Sequence, residues 1–236
     1  MLFSSFPRAV FLLVQLLAPT FTTTRAAATI FDKYVTSKAA IHDDYDYSSL
    51  SCPSSSLSTL TTPTYGTSGA VFTICSSINI NATATIIRDA VLDFKSYSLW
   101  NSFVVSVSVP SNVTRTPQDL YVGMPMVFTT SGLIPGLNTT SDEVLTTVNG
   151  TGVGGDGKPY FLVSWRYNDK LGGIAERAEH PVVIVDLGDG SSRVLSYETY
   201  YVGLATLPIA FLKNNLEKRF DAQAVDLKNY VEAHRP

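Results

Sequence analysis

The sequence predicts an α+β domain. Three observations carry that prediction: a short amphipathic helical stretch near residue 90, a succession of β-type segments separated by turn residues, and a long C-terminal stretch with apolar residues three and four apart. Before residue 70 the composition is of a different kind.

Residues 1–28 have the layout of a secretory signal peptide. Arg8 supplies the positive start, residues 9–17 an apolar core interrupted by Gln15, and Ala26-Ala27-Ala28 the small residues for cleavage. The alternative, a membrane anchor, requires about 20 continuous apolar residues. Neither this segment nor any later one provides them, so no integral membrane span is expected. Residues 29–69 read as a Ser/Thr/Pro-rich flexible segment, in which the acidic and aromatic run Asp43-Asp44-Tyr45-Asp46-Tyr47 precedes a stretch, 48–69, dominated by Ser, Thr and Pro. Such a composition buries too little apolar surface to offset the entropy of ordering it. Residues 70–236 form the folded domain.

Four N-glycosylation triplets begin at Asn81, Asn112, Asn138 and Asn149, and together with the leader they point to the secretory lumen or the exterior. The chain has two cysteines, Cys52 and Cys75. In an oxidising compartment an even pair favours a disulfide, worth about 3 kcal/mol by loop closure. The alternative is a buried free Cys75 with Cys52 loose in a tail. Neither cysteine has the spacing of a metal site, and no phosphate loop or Ser-His-Asp order stands out, so no metal and no cofactor are expected. The net charge is −3 with no Lys/Arg cluster, which removes the electrostatic basis for a nucleic-acid partner.

Within the domain, Phe72, Ile74, Ile78 and Ile80 mark a first strand, and Thr83 or Thr85 caps a helix over residues 86–94 whose apolar face is Ile87, Val91 and Phe94. An aromatic turn, residues 97–100, leads into strands over 103–109 and 122–130. Residues 143–148 and 160–167 pair across a Gly-rich turn at 150–157, and residues 182–187 and 193–202 across Gly188-Asp189-Gly190. Residues 207–233 then form one helix with the stripe Ile209, Leu212, Leu216, Phe220, Ala224, Leu227 and Val231.

This order, with the run Asp93 through Trp100-Asn101, the strand opening at Val122-Gly123, the strand ending Leu162 to Trp165, and His180 ahead of Gly188-Asp189-Gly190 and Arg193, resembles the START-like or SRPBCC superfamily of polyketide cyclases and coenzyme Q-binding START proteins. The resemblance implies a helix-grip fold: a curved antiparallel sheet wrapped around the long C-terminal helix, with an apolar cavity between them. One family position departs. Where the family often carries Glu-x-Phe-x-Gly, Gly203 is present, but Tyr201 takes the aromatic place and Thr199 the acidic one. Glu198 is one residue out of step, and such a slip turns a strand residue to the opposite face.

A cavity of this kind implies a hydrophobic small-molecule partner, polyketide- or isoprenoid-like, whose cyclisation or dehydration is promoted by orientation and acid–base groups. Trp100, Trp165, Tyr200, Tyr201 and Phe211 are the candidate ligand contacts. His180 and Arg166 are the candidate catalytic groups, His180 as a proton shuttle and Arg166 as partner to an anionic ligand group. Each has a structural alternative: a hydrogen-bonded rim histidine, and an arginine paired outward with Glu176, Glu179 or Asp186. Competing functions are a non-catalytic carrier of a lipid, sterol or quinone, and a secreted interaction protein. The oligomeric state is left open.

Overall fold

The computed structural model of the chain describes residues 45–55, 58–168 and 174–234. The expected signal peptide and residues 29–44 of the expected flexible segment lie outside the described residues. Seven strands form one antiparallel sheet: β1 (Ala70–Ile80), β2 (Val104–Ser108), β3 (Pro125–Ile134), β4 (Leu137–Val153), β5 (Pro159–Tyr167), β6 (Ala178–Asp186) and β7 (Ser192–Tyr201). Their spatial order is β1-β7-β6-β5-β4-β3-β2. Strands β2 to β7 follow one another as neighbours, whereas β1 closes against β7. Two short helices, α1 (Ala84–Leu92) and α2 (Tyr97–Trp100), carry the chain from β1 across to β2 at the opposite edge.

After β7 come α3 (Thr206–Ala210) and α4 (Lys213–Ala233). The single helix expected over 207–233 is therefore two, separated at Phe211 and Leu212, where the Leu212 N–H bonds the Ile209 carbonyl in a tight turn. The apolar stripe itself holds: Leu216, Phe220, Ala224, Leu227 and Val231 are all buried. Leu216, Phe220, Leu227 and Val231 pack with inward residues of the sheet and of α1 into one core, so α4 lies along the concave side in a helix-grip arrangement.

Two strand boundaries differ from the sequence reading for backbone reasons. A β3–β4 hairpin turns at Pro135-Gly136, where Gly136 takes a φ of 74° that disfavours other residues. The expected turn at 150–157 begins later, because β4 continues through Gly150 and Gly152. Gly152 admits the Tyr160 ring, with which a Cβ there would collide.

The convex side is covered as well. Residues 45–55 and 58–69, expected to be a flexible tail, form a strap against the sheet. Cys52 and Cys75 are disulfide-bonded, with Cα atoms 5.5 Å apart, which joins the strap to β1. Tyr47 is buried with Leu162, Val183, Leu195 and Tyr197 in a second, smaller core. Polar bonds complete the seam: Tyr197 donates to the Thr61 carbonyl at 2.6 Å, Leu60 N–H to Thr73 Oγ1 at 2.9 Å, and Thr199 Oγ1 to the Leu60 carbonyl at 2.9 Å. At its centre Glu179, fully buried, accepts from Thr64 N–H at 2.8 Å and from the hydroxyls of Thr64, Thr146 and Ser164 at 2.7, 3.0 and 3.1 Å. The strap is polar in sequence yet ordered, because its hydroxyls and carbonyls find partners on the sheet.

Candidate functional site

Between the concave face and α4 lies a cavity of about 250 Å³. Strand alternation sets its walls. On β5, Trp165 and Tyr167 face inward while Ser164 and Arg166 face the strap side; on β3, Phe128 and Thr130 face inward; on β7, Glu198 and Tyr200 do. Helix α4 adds Leu216, Phe220 and Gln223, and exposed Thr140 brings the cavity to the surface.

The walls are aromatic, with one acidic flank. Glu143 of β4, Glu198 of β7 and Glu176, just ahead of β6, all line the cavity. In the sheet register Glu143 stands between Met126 of β3 and Tyr167 of β5, and it is buried. Tyr200 donates its hydroxyl to Glu198 Oε2 at 2.8 Å, and the Tyr200 ring stacks on Phe72 at 4.6 Å. Burial pushes the Glu198 carboxyl up to about 7, with the Tyr200 hydroxyl pulling the other way. Glu143 is held well above the usual carboxylate range, first by burial and then by the negative charge of Glu198, with the Ser141 hydroxyl opposing. Burial is the leading cause of both shifts.

His180 stands beside this flank as part of the wall. Its ring lies 4.5 Å from Trp165 and is stacked on Phe220 at 4.8 Å, and Nε2 is 2.8 Å from Ser196 Oγ. Burial drives its pKa down to about 3. It is a neutral, hydrogen-bonded ring near neutral pH and a weak base there.

Past Trp165 and His180 is a recess of about 30 Å³ that shares those two side chains and Gln223 with the main cavity. Trp100 lines it, stacked on Tyr230 at 5.9 Å, and the Trp100 Nε1–H is buried without a hydrogen-bond partner.

Of the residues singled out from sequence, His180, Trp165 and Tyr200 meet at the main cavity and Trp100 reaches its recess. Three lie elsewhere. Arg166 is on the convex side, where it acts on Tyr65 of the strap and donates to the Tyr167 carbonyl at 3.2 Å. Tyr201 is also convex, because it alternates with Tyr200; it donates to the Gly66 carbonyl at 2.6 Å and shares a bond with Thr62 at 2.7 Å. Phe211, in the break between α3 and α4, is 91% exposed. The acidic residues were missed. The out-of-step spacing of Glu198 counted against it, yet Glu198 and Tyr200 share the inward face, while Thr199 bonds Thr73 on the other. The available signal was a pair of acidic residues at strand positions, Glu143 followed by Val144-Leu145 and Glu198 set among Tyr197, Tyr200 and Tyr201. Among the described residues no three His, Cys, Asp or Glu side chains come together as a metal-binding group.

No protein-family description and no curated protein matches the chain. Solved structures do match. A START superfamily protein from Mycobacterium smegmatis aligns at 16% identity and a TM-score of 0.51, over 69% of this chain and 99% of its own. Norcoclaurine synthase from Thalictrum flavum aligns at 13% identity and a TM-score of 0.49, over 71% and 91%. The Helicobacter pylori protein jhp0584 aligns at 12% identity and 0.48, over 67% and 87%. The fold is START-like.

Proposed function

We propose that the chain binds a small, largely apolar molecule between its sheet and α4. The observation that carries this reading is the cavity of about 250 Å³, walled by Phe103, Phe128, Trp165, Tyr167, Tyr200 and Phe220 and reaching the surface at Thr140. A guest that buries roughly 200 Å² of apolar surface there gains about 5 kcal/mol before its ordering cost is counted. The setting we propose is the secretory route. Asn81, Asn112, Asn138 and Asn149 are all exposed, as glycan acceptors must be, and the Cys52–Cys75 bond suits an oxidising compartment. No helix among the described residues is long and apolar enough to cross a membrane.

One observation favours a second reading, in which the guest is also converted. Glu198, with a pKa of about 7, is suited to accept and return a proton at the cavity wall, and the Tyr200 hydroxyl beside it can steady developing negative charge. Cyclisation or dehydration of a polyketide- or isoprenoid-like guest is chemistry of that kind. The proton-transfer role passes from His180, whose ring stays neutral, to Glu198.

The test is native mass spectrometry of the full chain secreted from eukaryotic cells, followed by titration with 1-octanol. The expected result is one apolar guest per chain, or stoichiometric uptake of 1-octanol, both lost in Ser141→Trp, which fills the cavity. A folded wild-type protein that carries no guest and takes up no 1-octanol overturns the reading. Under the second reading, Glu198→Gln retains the guest unconverted.

A further inference from the structure

We infer that the guest enters head first: a neutral oxygen, hydroxyl or carbonyl, at one end of an apolar body seats in the recess past Trp165 and His180 and accepts the Trp100 Nε1–H. This rests on the binding reading above and names the chemical class of the ligand and its orientation.

The starting point is a donor that its own chain does not answer. A buried N–H that meets no oxygen forfeits the hydration it had in the unfolded chain, and such groups are rare in native proteins. The Trp100 Nε1–H is one, buried with no hydrogen-bond partner in the protein. An indole donates and does not accept, so an acceptor is what it needs. Nor does the ring turn readily toward another part of the chain. It packs on Tyr97 at 4.9 Å and on Tyr230 at 5.9 Å, and Tyr97 is itself tied by its hydroxyl to the Val91 carbonyl at 2.7 Å. What Trp100 does line is the recess of about 30 Å³ beside the main cavity.

That recess suits a neutral oxygen. It has room for a small polar head, and Val91, Val182 and Leu227 make its walls largely apolar. Its polar members, Ser76, Ser196, Gln223 and a His180 ring that burial keeps neutral, offer hydrogen bonds and no charge near neutral pH. A carboxylate or ammonium head surrenders far more hydration on entering such walls than a hydroxyl or carbonyl does. The neutral oxygen is also matched from two sides. Trp100 donates to it, and Ser196 serves it whichever tautomer His180 adopts. With His180 Nε2 donating across the 2.8 Å contact, the Ser196 hydroxyl keeps its hydrogen for the guest; with Nε2 accepting, Ser196 keeps a lone pair for a guest hydroxyl.

The way in is through the main cavity. The two spaces share Trp165, His180 and Gln223. Trp165 and His180 are held by ring contacts, at 5.6 Å to Phe128 and 4.8 Å to Phe220. Gln223 of α4 has an unbranched side chain, so it is the member of the partition that swings aside to admit the head. A trapped water is the competing occupant of a polar recess of this size. A guest oxygen that replaces it keeps the Trp100 bond and adds the burial of its apolar body along Trp165 and Phe128.

Two probes with one eight-carbon body isolate the oxygen: 1-octanol, and octane equilibrated from the vapour, each followed by NMR of the full chain. The sequence has two tryptophans, Trp100 and Trp165, so two indole N–H signals report on the recess and on the cavity wall. With 1-octanol the Trp100 indole proton shows a nuclear Overhauser contact to the C1 protons of the guest, next to its hydroxyl, and this readout needs no variant. In Trp100→Phe, which keeps a ring and removes the donor, 1-octanol binds about fivefold more weakly, whereas octane affinity changes less than about twofold. A contact from Trp100 to the methyl end of 1-octanol, no contact at all, or an equal change for both probes overturns the head-first reading; the recess then holds water, and the apolar-guest reading stands. If neither probe binds to folded wild-type protein, that reading falls and this one with it.

Discussion

The two faces of the sheet treat the same functional group in opposite ways. On the convex face the Glu179 carboxyl receives four hydrogen bonds, two from Thr64 of the strap that the Cys52–Cys75 bond joins to β1 and two from Thr146 and Ser164 of the sheet. On the concave face Glu143 and Glu198 stand on the wall of a cavity, raised in pKa by burial and, for Glu143, by Glu198 itself. The first is a structural carboxyl, because its partners are supplied by the chain. The others are candidate functional groups, because they combine raised pKa values with a place on the wall of a space that can hold a guest.

This contrast predicts opposite signs for mutations of one kind. The largest effect belongs to Glu179→Ala, which strips the acceptor from Thr64, Thr146 and Ser164 and costs about 4 kcal/mol in urea unfolding. A cost below about 0.5 kcal/mol would mean that the convex bonds are incidental. Next comes replacement of both cysteines by serine. It opens a link between residues 23 apart and lowers stability by roughly 3 kcal/mol, with proteolysis of the strap as the independent readout. Smallest, and of the other sign, is Glu198→Gln. A folded pKa of about 7 against an ordinary 4.5 means that the folded state binds the proton more tightly than the unfolded chain. The stabilisation from that proton is complete below about pH 4.5, is lost as the pH rises to about 7, and stays lost above it. Glu198→Gln therefore matches the wild type at pH 4 and is more stable by on the order of 1–3 kcal/mol at pH 8, where thermal unfolding checks it. A variant less stable than wild type at pH 8 would place Glu198 with Glu179 as a structural group.

How much was legible beforehand follows from the same two faces. Periodicity located every strand and the buried stripe of α4, because steps of two and of three or four are local properties of the chain. It did not reveal which side of a strand looks inward. That usually shows as apolar residues on one face and polar residues on the other, but here the strap buries Leu162, Val183, Leu195 and Tyr197 on the outside too. Arg166 and Tyr201 were assigned to the cavity for that reason, and Glu198 was set aside on spacing. The strap itself was illegible because its order comes from hydrogen bonds to β1, β6 and β7, which composition does not encode. Phe211 was misplaced by a helix break that leaves the apolar pattern intact on either side.

The place of β1 in the sheet has a consequence for how the molecule comes into being. Its neighbour among the described strands is the last one, so the Thr73 hydroxyl meets that of Thr199 126 positions later. Contacts that span so much of a chain raise the entropy to be overcome and slow the search. On the ribosome the opening strand emerges long before its mate, and the edge it presents in the interval is an unpaired ladder of Phe72, Ile74 and Ile78. Biosynthesis thus leaves an early, sticky segment to be shielded until the final strand arrives.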